Sequence, residues 1–212
     1  KKKKKNTRVA KLIGINQAAR TTCIKPAGTT SLVLGTSSGI HAWHNDYYIR
    51  RLRVGKNEPI YKYLKENNPD LIEDEYFRPH DTAVIEIPQS APQGSILRTE
   101  SAFDLLKRVK KVATEWVKPG HRKGSNTHNV SATISLKESD WKKAGEWMWE
   151  NRECYNGLSV LPYDGGTYTQ APFEDITETE FNKRVKSLND VDLSNITETT
   201  DETDLSGFFF FL

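Results

Sequence analysis

Residues 22–41 read TCIKPAGTTSLVLGTSSGIH, and the rest of the chain is interpreted around them. A short apolar run leads into a Pro-Ala-Gly turn, and three hydroxyl residues then precede a second apolar run. This order is typical of a tight turn that opens onto a helix N-terminus, where unpaired backbone N–H groups and the helix dipole attract anions. The segment predicts a phosphate site formed by Pro26, Ala27, Gly28, Thr29, Thr30 and Ser31. The alternative is a helix that is merely capped by its Gly/Thr/Ser cluster.

The amino-acid composition argues against a nucleic-acid-binding protein and against a membrane-spanning one. The 212 residues include 31 basic and 28 acidic side chains, so the net charge of +3 does not indicate a nucleic-acid partner. The five lysines at the start are interpreted as part of a disordered basic leader, residues 1–8. A hydrophobic content of 36% indicates a globular body diluted by polar termini. No apolar run approaches the roughly 18 residues that would predict a membrane span.

The two cysteines give little sign of metal or disulfide chemistry. Cys23 and Cys154 lie far apart and lack the spacing of a zinc site or a disulfide framework, which favours a reducing, cytoplasmic location. Cys23 is predicted to be a buried thiol. His41, His44 and Asp46 could suggest a metal pair, but no further ligands follow at usable spacing, so no metal is predicted.

Apolar periodicity predicts strands and helices in alternation, which favours an α/β fold with parallel strand pairs. The clearest helix is 103–117, with an apolar core stripe that includes Trp116, and with Ser101 and Asp104 as a capping pair. The other predicted helices are 58–67, 140–152 and 180–188, and the predicted strands are 47–54, 82–87 (closed by Pro88), 130–136 and 158–162.

Catalytic groups are sparse. No ordered Ser-His-Asp set, Cys-His pair or carboxylate pair can be recognised, so no catalytic residue is predicted. His128 and Asn129, just before a strand, are the best candidates for lining a pocket, although they could equally cap a loop. Arg50, Arg51 and Arg53 form a basic cluster, and a charged strand face is favoured for them over a phosphate contact.

Several motifs together resemble a known family. Residues 19–29 and 35–41 resemble the C-terminal half of the catalytic chain of adenosylcobalamin-dependent (class II) ribonucleotide reductases. Other motifs follow in that family's order, namely YIRR at 48–51, NTHNVS at 126–131, WENR at 149–152, GLSVLP at 157–162 and QAPF at 170–173. One departure is Ala27, where relatives often carry Ser; a hydroxyl is lost but the backbone amides remain.

The resemblance implies an architecture. Residues 9–188 would be the C-terminal portion of the ten-stranded α/β barrel of ribonucleotide reductases. Residues 189–212 would be a flexible, disordered acidic tail, truncated before the redox cysteines that the family carries there. The radical-bearing cysteine and its glutamate would lie before this segment, so neither Cys23 nor Cys154 receives that role.

The resemblance also implies a function. The parent enzyme converts ribonucleotides to deoxyribonucleotides for DNA synthesis by a thiyl-radical mechanism, with adenosylcobalamin as cofactor. This segment would supply the substrate phosphate-binding loop and the later barrel strands. Its partners would be the ribonucleotide, the N-terminal half of the reductase and a thioredoxin-type reductant, with neither nucleic acid nor membrane involved.

Three alternatives remain open. Another reductase class could share the barrel, since the segments that distinguish the classes would lie outside this sequence. A non-catalytic nucleotide- or phosphate-binding module would need only the loop of residues 26–31. A fragment that is inactive alone, and unable to fold alone, would follow if half of a closed barrel leaves strand edges unpaired.

Overall fold

The computed structural model describes residues 2–124, 126–163 and 168–196. The chain forms two compact units: the first comprises residues 1–46 and 91–166, and the second comprises residues 47–90 and 167–212. No helix among the described residues is long and apolar enough to cross a membrane. The helices are α1 (Lys2–Ile13), α2 (Gly28–Val33), α3 (Pro59–Asn67), α4 (Ala102–Val112), α5 (Trp141–Glu150) and α6 (Glu178–Ser187). The strands are β1 (Tyr47–Gly55), β2 (Ile72–Asp74), β3 (Thr82–Ser90), β4 (Thr133–Leu136), β5 (Ser159–Pro162) and β6 (Phe173–Asp175).

The first unit is built on one apolar cluster. Helices α4 and α5 cover the inner face of β4, which pairs in parallel with β5. Residues at alternate positions from Val130 to Leu136 are all buried, as the alternating pattern predicts. Leu106 and Val109 of α4 are completely inaccessible to solvent. The opposite face of β4, with Thr133 and Ser135, therefore stays polar and free of the core.

Helix α4 begins where the sequence predicts. The hydroxyl of Ser101 accepts a hydrogen bond from the Asp104 amide at 3.2 Å and donates one to the Asp104 carboxylate at 2.7 Å. Beyond Val112 the helix widens into a π turn over Ala113–Val117 and tightens into a 3-10 turn that ends at Gly120. Trp116 was predicted in the core stripe but is 42% exposed, because the π turn rotates it off that face.

The predicted disordered leader is wrong for the described residues, since α1 begins at Lys2. Lysine is a good helix former, and the helix is fixed to the segment that follows it. The Asn6 side-chain amide donates to the Ala18 carbonyl at 3.1 Å and accepts from the Ala18 N–H at 3.3 Å. Ala10 is buried, whereas Leu12, Ile13 and nearby Ile15 remain exposed.

The second unit is an antiparallel sheet with strand order β2-β3-β1-β6. Among the strands in the described ranges, the parallel pairing expected from alternating strands and helices is therefore confirmed only for β4 and β5. Strand β3 continues through Pro88 to Ser90, two residues past the expected stop. Proline, which lacks an N–H, is tolerated there because β2 pairs only with Ala83–Ile85, so one side of β3 is open at Pro88.

The arginine cluster of β1 serves the sheet, as predicted. Arg51 pairs with Glu86 and with Glu174, and Arg53 pairs with Glu75 at 3.2 Å. The Arg50 guanidinium lies 4.3 Å from the centre of the Phe173 ring, a cation–π contact. The three cations are thus engaged by partners within the second unit.

Residues 189–196, predicted to begin the flexible tail, are bonded to the second unit. The Asn189 amide donates to the Asn68 side chain at 2.7 Å, and the Asp192 amide donates to the Tyr63 hydroxyl at 2.9 Å. These bonds hold the segment onto α3 and the turn after it. The rest of the predicted acidic tail, residues 197–212, lies outside the described residues.

Candidate functional site

The glycine-rich segment is anchored at its start by Thr22. The Thr22 hydroxyl donates to the Trp116 carbonyl, which the π turn presents, at 2.6 Å. Backbone bonds from Thr21 to Gly120 and from Arg122 to Ala19, both 3.0 Å, pair this region with the end of α4. A Cβ placed on Gly120 would lie only 1.7 Å from the Thr22 Oγ1. The backbone segments around Thr22 and Gly120 can therefore approach this closely only because residue 120 is glycine.

The turn into α2 has the geometry expected of a close-approach loop. Gly28 has φ +47°, and its N–H donates to the Ser38 hydroxyl at 3.4 Å. Gly39 has φ +62°, and a Cβ there would lie 3.2–3.3 Å from the backbone of Lys25 and Pro26. Both glycines are therefore required by the left-handed backbone, and the second lets the two limbs of the segment touch.

One predicted hydroxyl donor is used inside the loop. Ser31 is buried, and its hydroxyl donates to the Gly28 carbonyl at 2.7 Å. Because a hydroxyl has a single proton, Ser31 in this conformation has no donor for a ligand. Ala27, Gly28 and Thr30 are exposed, so any contact from this turn would come from backbone amides and from the Thr30 hydroxyl.

His41 closes the segment and joins it to β4. Its Nδ1 lies 2.9 Å from the Ser38 carbonyl, and its Nε2 accepts the Thr133 N–H at 3.2 Å. A carbonyl can only accept and an N–H can only donate, so these partners assign the proton to Nδ1.

A cleft of about 440 Å³ opens beside His41. The loops that precede β4 and β5 form most of its wall, because parallel strands begin at the same edge. The Asn129 side-chain oxygen accepts the Gly157 N–H at 3.2 Å and ties these loops together. The cleft is lined by Pro26, His41, Asn129, Ser131, Ala132, Thr133, Gly157, Leu158 and Ser159.

A second cleft, of about 860 Å³, follows the polar face of β4. Ser135 lines it from the strand and Lys137 from the residue after the strand, and the start of α4 also contributes to its wall. On its wall, Glu100 binds Arg108 through both carboxylate oxygens, at 3.0 and 2.5 Å. The hydrogen bonds to Glu100 and its charge raise the pKa of Arg108, so this pair stays ionised. His41 and Thr133 line both clefts.

The structure brings together some of the predicted residues. Pro26 and Asn129, more than a hundred positions apart in sequence, line the same cleft, whereas His128 lines neither cleft. Cys23 was predicted to be buried but is exposed, because Thr22 points inward and the next residue along an extended chain points outward. No group of His, Cys, Asp or Glu able to hold a metal occurs among the described residues.

Sequence reasoning missed His41 as a site residue. Its proximity to His44 and Asp46 drew attention to metals, whereas its actual partners are two backbone groups. A hydrogen bond to a backbone group does not require a particular residue type at the partner position, so the sequence pattern does not reveal it. The available signal was position alone: His41 directly follows the glycine-rich run.

Comparison with known proteins identifies similar chains. An adenosylcobalamin-dependent ribonucleoside-triphosphate reductase from Euglena gracilis is 29% identical over 203 residues, which cover 92% of this chain and 26% of the relative. The enzyme of that name from Lactobacillus delbrueckii subsp. bulgaricus is 26% identical over 93% of this chain and 27% of its own length. No protein-family model matches the chain.

A solved structure agrees with these relatives. The crystal structure of a B12-dependent (class II) ribonucleotide reductase superposes with a TM-score of 0.72 and 25% identity, covering 88% of this chain and 25% of that protein. The chain thus spans about a quarter of the length of the relatives it matches. The resemblance inferred from the sequence motifs is confirmed: the chain is homologous to part of the adenosylcobalamin-dependent ribonucleotide reductases.

Proposed function

We propose that this chain is the C-terminal part of a ribonucleotide reductase, and that its first unit binds the phosphates of the ribonucleotide substrate. The observation that carries the proposal is the meeting of Pro26 and Asn129 in one cleft, within a chain homologous to part of such enzymes. The proposed phosphate-binding residues are Pro26, Ala27, Gly28, Thr29, Thr30 and Ser31, with Asn129 on the opposite wall.

The contacts of this segment suggest how it would bind. In the exposed turn at residues 27–30, the N–H groups of Gly28 and Thr30 already donate to the Ser38 hydroxyl and the Ala27 carbonyl, so the amides of residues 27 and 29 would bind the phosphate. The left-handed Gly28 removes the side chain that would shield them. Ser31 would act indirectly, since its hydroxyl fixes the Gly28 carbonyl. Fixing the phosphates would orient the ribose for reaction, and orientation of this kind can lower a barrier by several kcal/mol.

The reduction itself would need residues outside this chain. The chain covers about a quarter of its relatives, and neither Cys23 nor Cys154 lines either cleft. We infer that the chain alone is inactive, that the remainder of a reductase completes the ten-stranded barrel, and that a thioredoxin-type protein is the reductant. The same cleft would suit a non-catalytic phosphate-binding module, which the complemented enzyme would exclude by turning over substrate.

Adenosylcobalamin would supply the radical in the complete enzyme. The described clefts of this chain do not fit that cofactor: the first encloses only about 440 Å³, and the second is lined by charged side chains such as Arg98, Glu100 and Lys137, whereas a corrin ring requires a broad face to pack against. The role inferred for this chain is therefore restricted to seating phosphate.

Replacement of Gly28 by alanine tests the phosphate proposal. The new Cβ would meet no atom within 4 Å, so the expected defects are strain from φ +47° and shielding of the loop amides. We expect at least tenfold weaker binding of a ribonucleoside triphosphate in isothermal titration. Gly94→Ala is the matched control, since Gly94 also has positive φ and open space but lies away from both clefts.

Equal affinities of the two variants would contradict the assignment. Similar losses of stability in both, with weaker binding only in Gly28→Ala, would support it. Absence of triphosphate binding in the unmodified chain would contradict phosphate binding by this chain on its own.

A further inference from the structure

His41 occupies the junction between the two clefts of the first unit. With Thr133 it is one of the two residues that line both of them. It is half-buried, and both ring nitrogens are engaged by backbone groups at hydrogen-bonding distance. Its place in the fold is therefore that of a connector between the glycine-rich segment and β4.

Three hydrogen bonds, joined through the side chain of His41 and the residue Ser38, link the strand to the proposed phosphate loop. The Thr133 N–H donates to His41 Nε2, and His41 Nδ1–H donates to the Ser38 carbonyl. The Ser38 hydroxyl then accepts the N–H of Gly28, the residue at the turn of the loop. Thr133 and Gly28 are thus connected through His41 and Ser38.

We propose that His41 is a positioning residue, whose neutral Nδ1–H imidazole holds the loop at Gly28 in register with β4 and thereby sets its affinity for phosphate. This inference rests on the proposed function of the loop. His41 need not touch the ligand, because it acts through Ser38. The ligand class is a triphosphate group, either free or carried by a nucleoside.

The proposal requires one tautomer of the His41 ring. An imidazole with its proton on Nε2 could neither donate to the Ser38 carbonyl nor accept the Thr133 N–H, so the link between the loop and β4 would be lost.

Two substitutions separate positioning from simple packing. In His41→Gln the amide can donate to the Ser38 carbonyl and accept the Thr133 N–H, whereas His41→Leu can do neither. His80→Gln is the control, because His80 is exposed and belongs to the second unit. Tryptophan fluorescence checks folding, since all five tryptophans of the chain lie in the first unit.

The first measurement is isothermal titration of the full chain at pH 8 with inorganic triphosphate and with a ribonucleoside triphosphate. We expect His41→Leu to bind about tenfold more weakly than the unmodified chain, the size of effect that follows from losing two neutral hydrogen bonds. His41→Gln should retain most of the affinity.

The second measurement is the nitrogen-15 spectrum of the His41 ring, which distinguishes the Nδ1–H tautomer from the Nε2–H tautomer. The Nδ1–H form at pH 8 supports the inference. An Nε2–H form, or equal affinities of His41→Leu and His80→Gln for triphosphate, would overturn it while leaving phosphate binding intact. Failure of the unmodified chain to bind either ligand would overturn both the proposed function and the role of His41 in affinity.

Discussion

The two units are stabilised in different ways. Among its described residues, the first carries 20 basic and 9 acidic side chains around an apolar cluster from α4, α5 and β4. The described part of the second carries 10 basic and 14 acidic side chains around a smaller apolar cluster, and places several charges within its sheet. Packing in the first unit leaves a polar strand face free for a ligand. The stability of the second unit depends on charged partners, so its free energy of unfolding should change with pH. The free energy of unfolding of the first unit should instead change when the size of a packed side chain is altered.

The largest expected effect is on packing, at Gly120 of the first unit. In Gly120→Ala the Cβ would overlap Thr22 Oγ1, so either the Thr22 hydrogen bond to Trp116 or the chain pairing must be lost. We expect a loss of about 3 kcal/mol in the free energy of unfolding. Denaturant unfolding followed by tryptophan fluorescence measures it, since the tryptophans report on this unit.

Gly145→Ala provides the contrast within the same unit. Gly145 lies in α5, and a Cβ there would meet nothing within 4 Å. Alanine should stabilise that helix by about 0.5–1 kcal/mol. A Gly120→Ala variant as stable as Gly145→Ala would show that the close approach at Thr22 is not needed.

A smaller effect is expected from the charged network of the second unit. Arg51 is nearly buried; its Nε donates to Glu86 at 2.7 Å, and it also binds Glu174 and the Ala171 carbonyl. Burial lowers the pKa of Arg51, but the hydrogen bonds to Glu174 and Glu86 outweigh it and raise the pKa. Arg51→Met should cost about 2 kcal/mol, because Glu86 keeps Arg184 as a partner at 3.1 Å while the Ala171 carbonyl loses its donor. Amide hydrogen exchange along β1 measures this loss.

The control for Arg51 is an exposed ion pair. Lys111 and Glu115 lie 3.2 Å apart on the surface, with both side chains more than 60% exposed. Lys111→Met should change stability by no more than about 0.5 kcal/mol. If the two variants behaved alike, burial would not distinguish the network of the second unit from an ordinary surface pair.

The sequence correctly predicted the structural features that are determined by residues close together along the chain. Alternation at Val130–Leu136 marked both the strand and its buried face, and Ser101 with Asp104 marked the start of α4. These features depend on periodicity and on contacts three residues apart, which a single sequence displays. The arginine cluster was also predicted correctly as a charged strand face, whereas Cys23, predicted to be buried, is exposed.

Features that depend on distant residues could not be predicted. Whether β1 pairs with β3 in parallel or antiparallel is decided by the path of the chain between them, which periodicity does not contain. The role of His41 depends on two backbone partners, and the loss of the Ser31 donor depends on the exact turn at Gly28. The resemblance of the motifs to a known family suggested a phosphate ligand for the loop. Only the folded structure showed which hydroxyl and N–H groups of the loop are already bonded within the protein.

The smallest expected effect concerns Glu75, a buried carboxylate of the second unit. It accepts the N–H groups of Phe77 and Arg78 at 2.8 and 2.7 Å and binds Arg53 at 3.2 Å. Burial alone would raise its pKa, but these hydrogen bonds outweigh burial and lower the pKa. A lowered pKa means that the stabilisation is present above the unfolded pKa of about 4.3 and is lost as the pH falls through the folded value.

Glu75→Gln should therefore reduce the acid sensitivity of the second unit. The amide oxygen can still accept from the Phe77 and Arg78 amides, so the turn is retained, but the group no longer titrates. Asp74 and Asp81, whose pKa values are also lowered by hydrogen bonds to their cationic partners, titrate in both proteins and cancel in the comparison. Amide exchange of β2 and β3 between pH 5 and 3 is the measurement. A difference in slope that appears in the tryptophan signal instead would place the acid response in the first unit, and the contrast between the units would have to be abandoned.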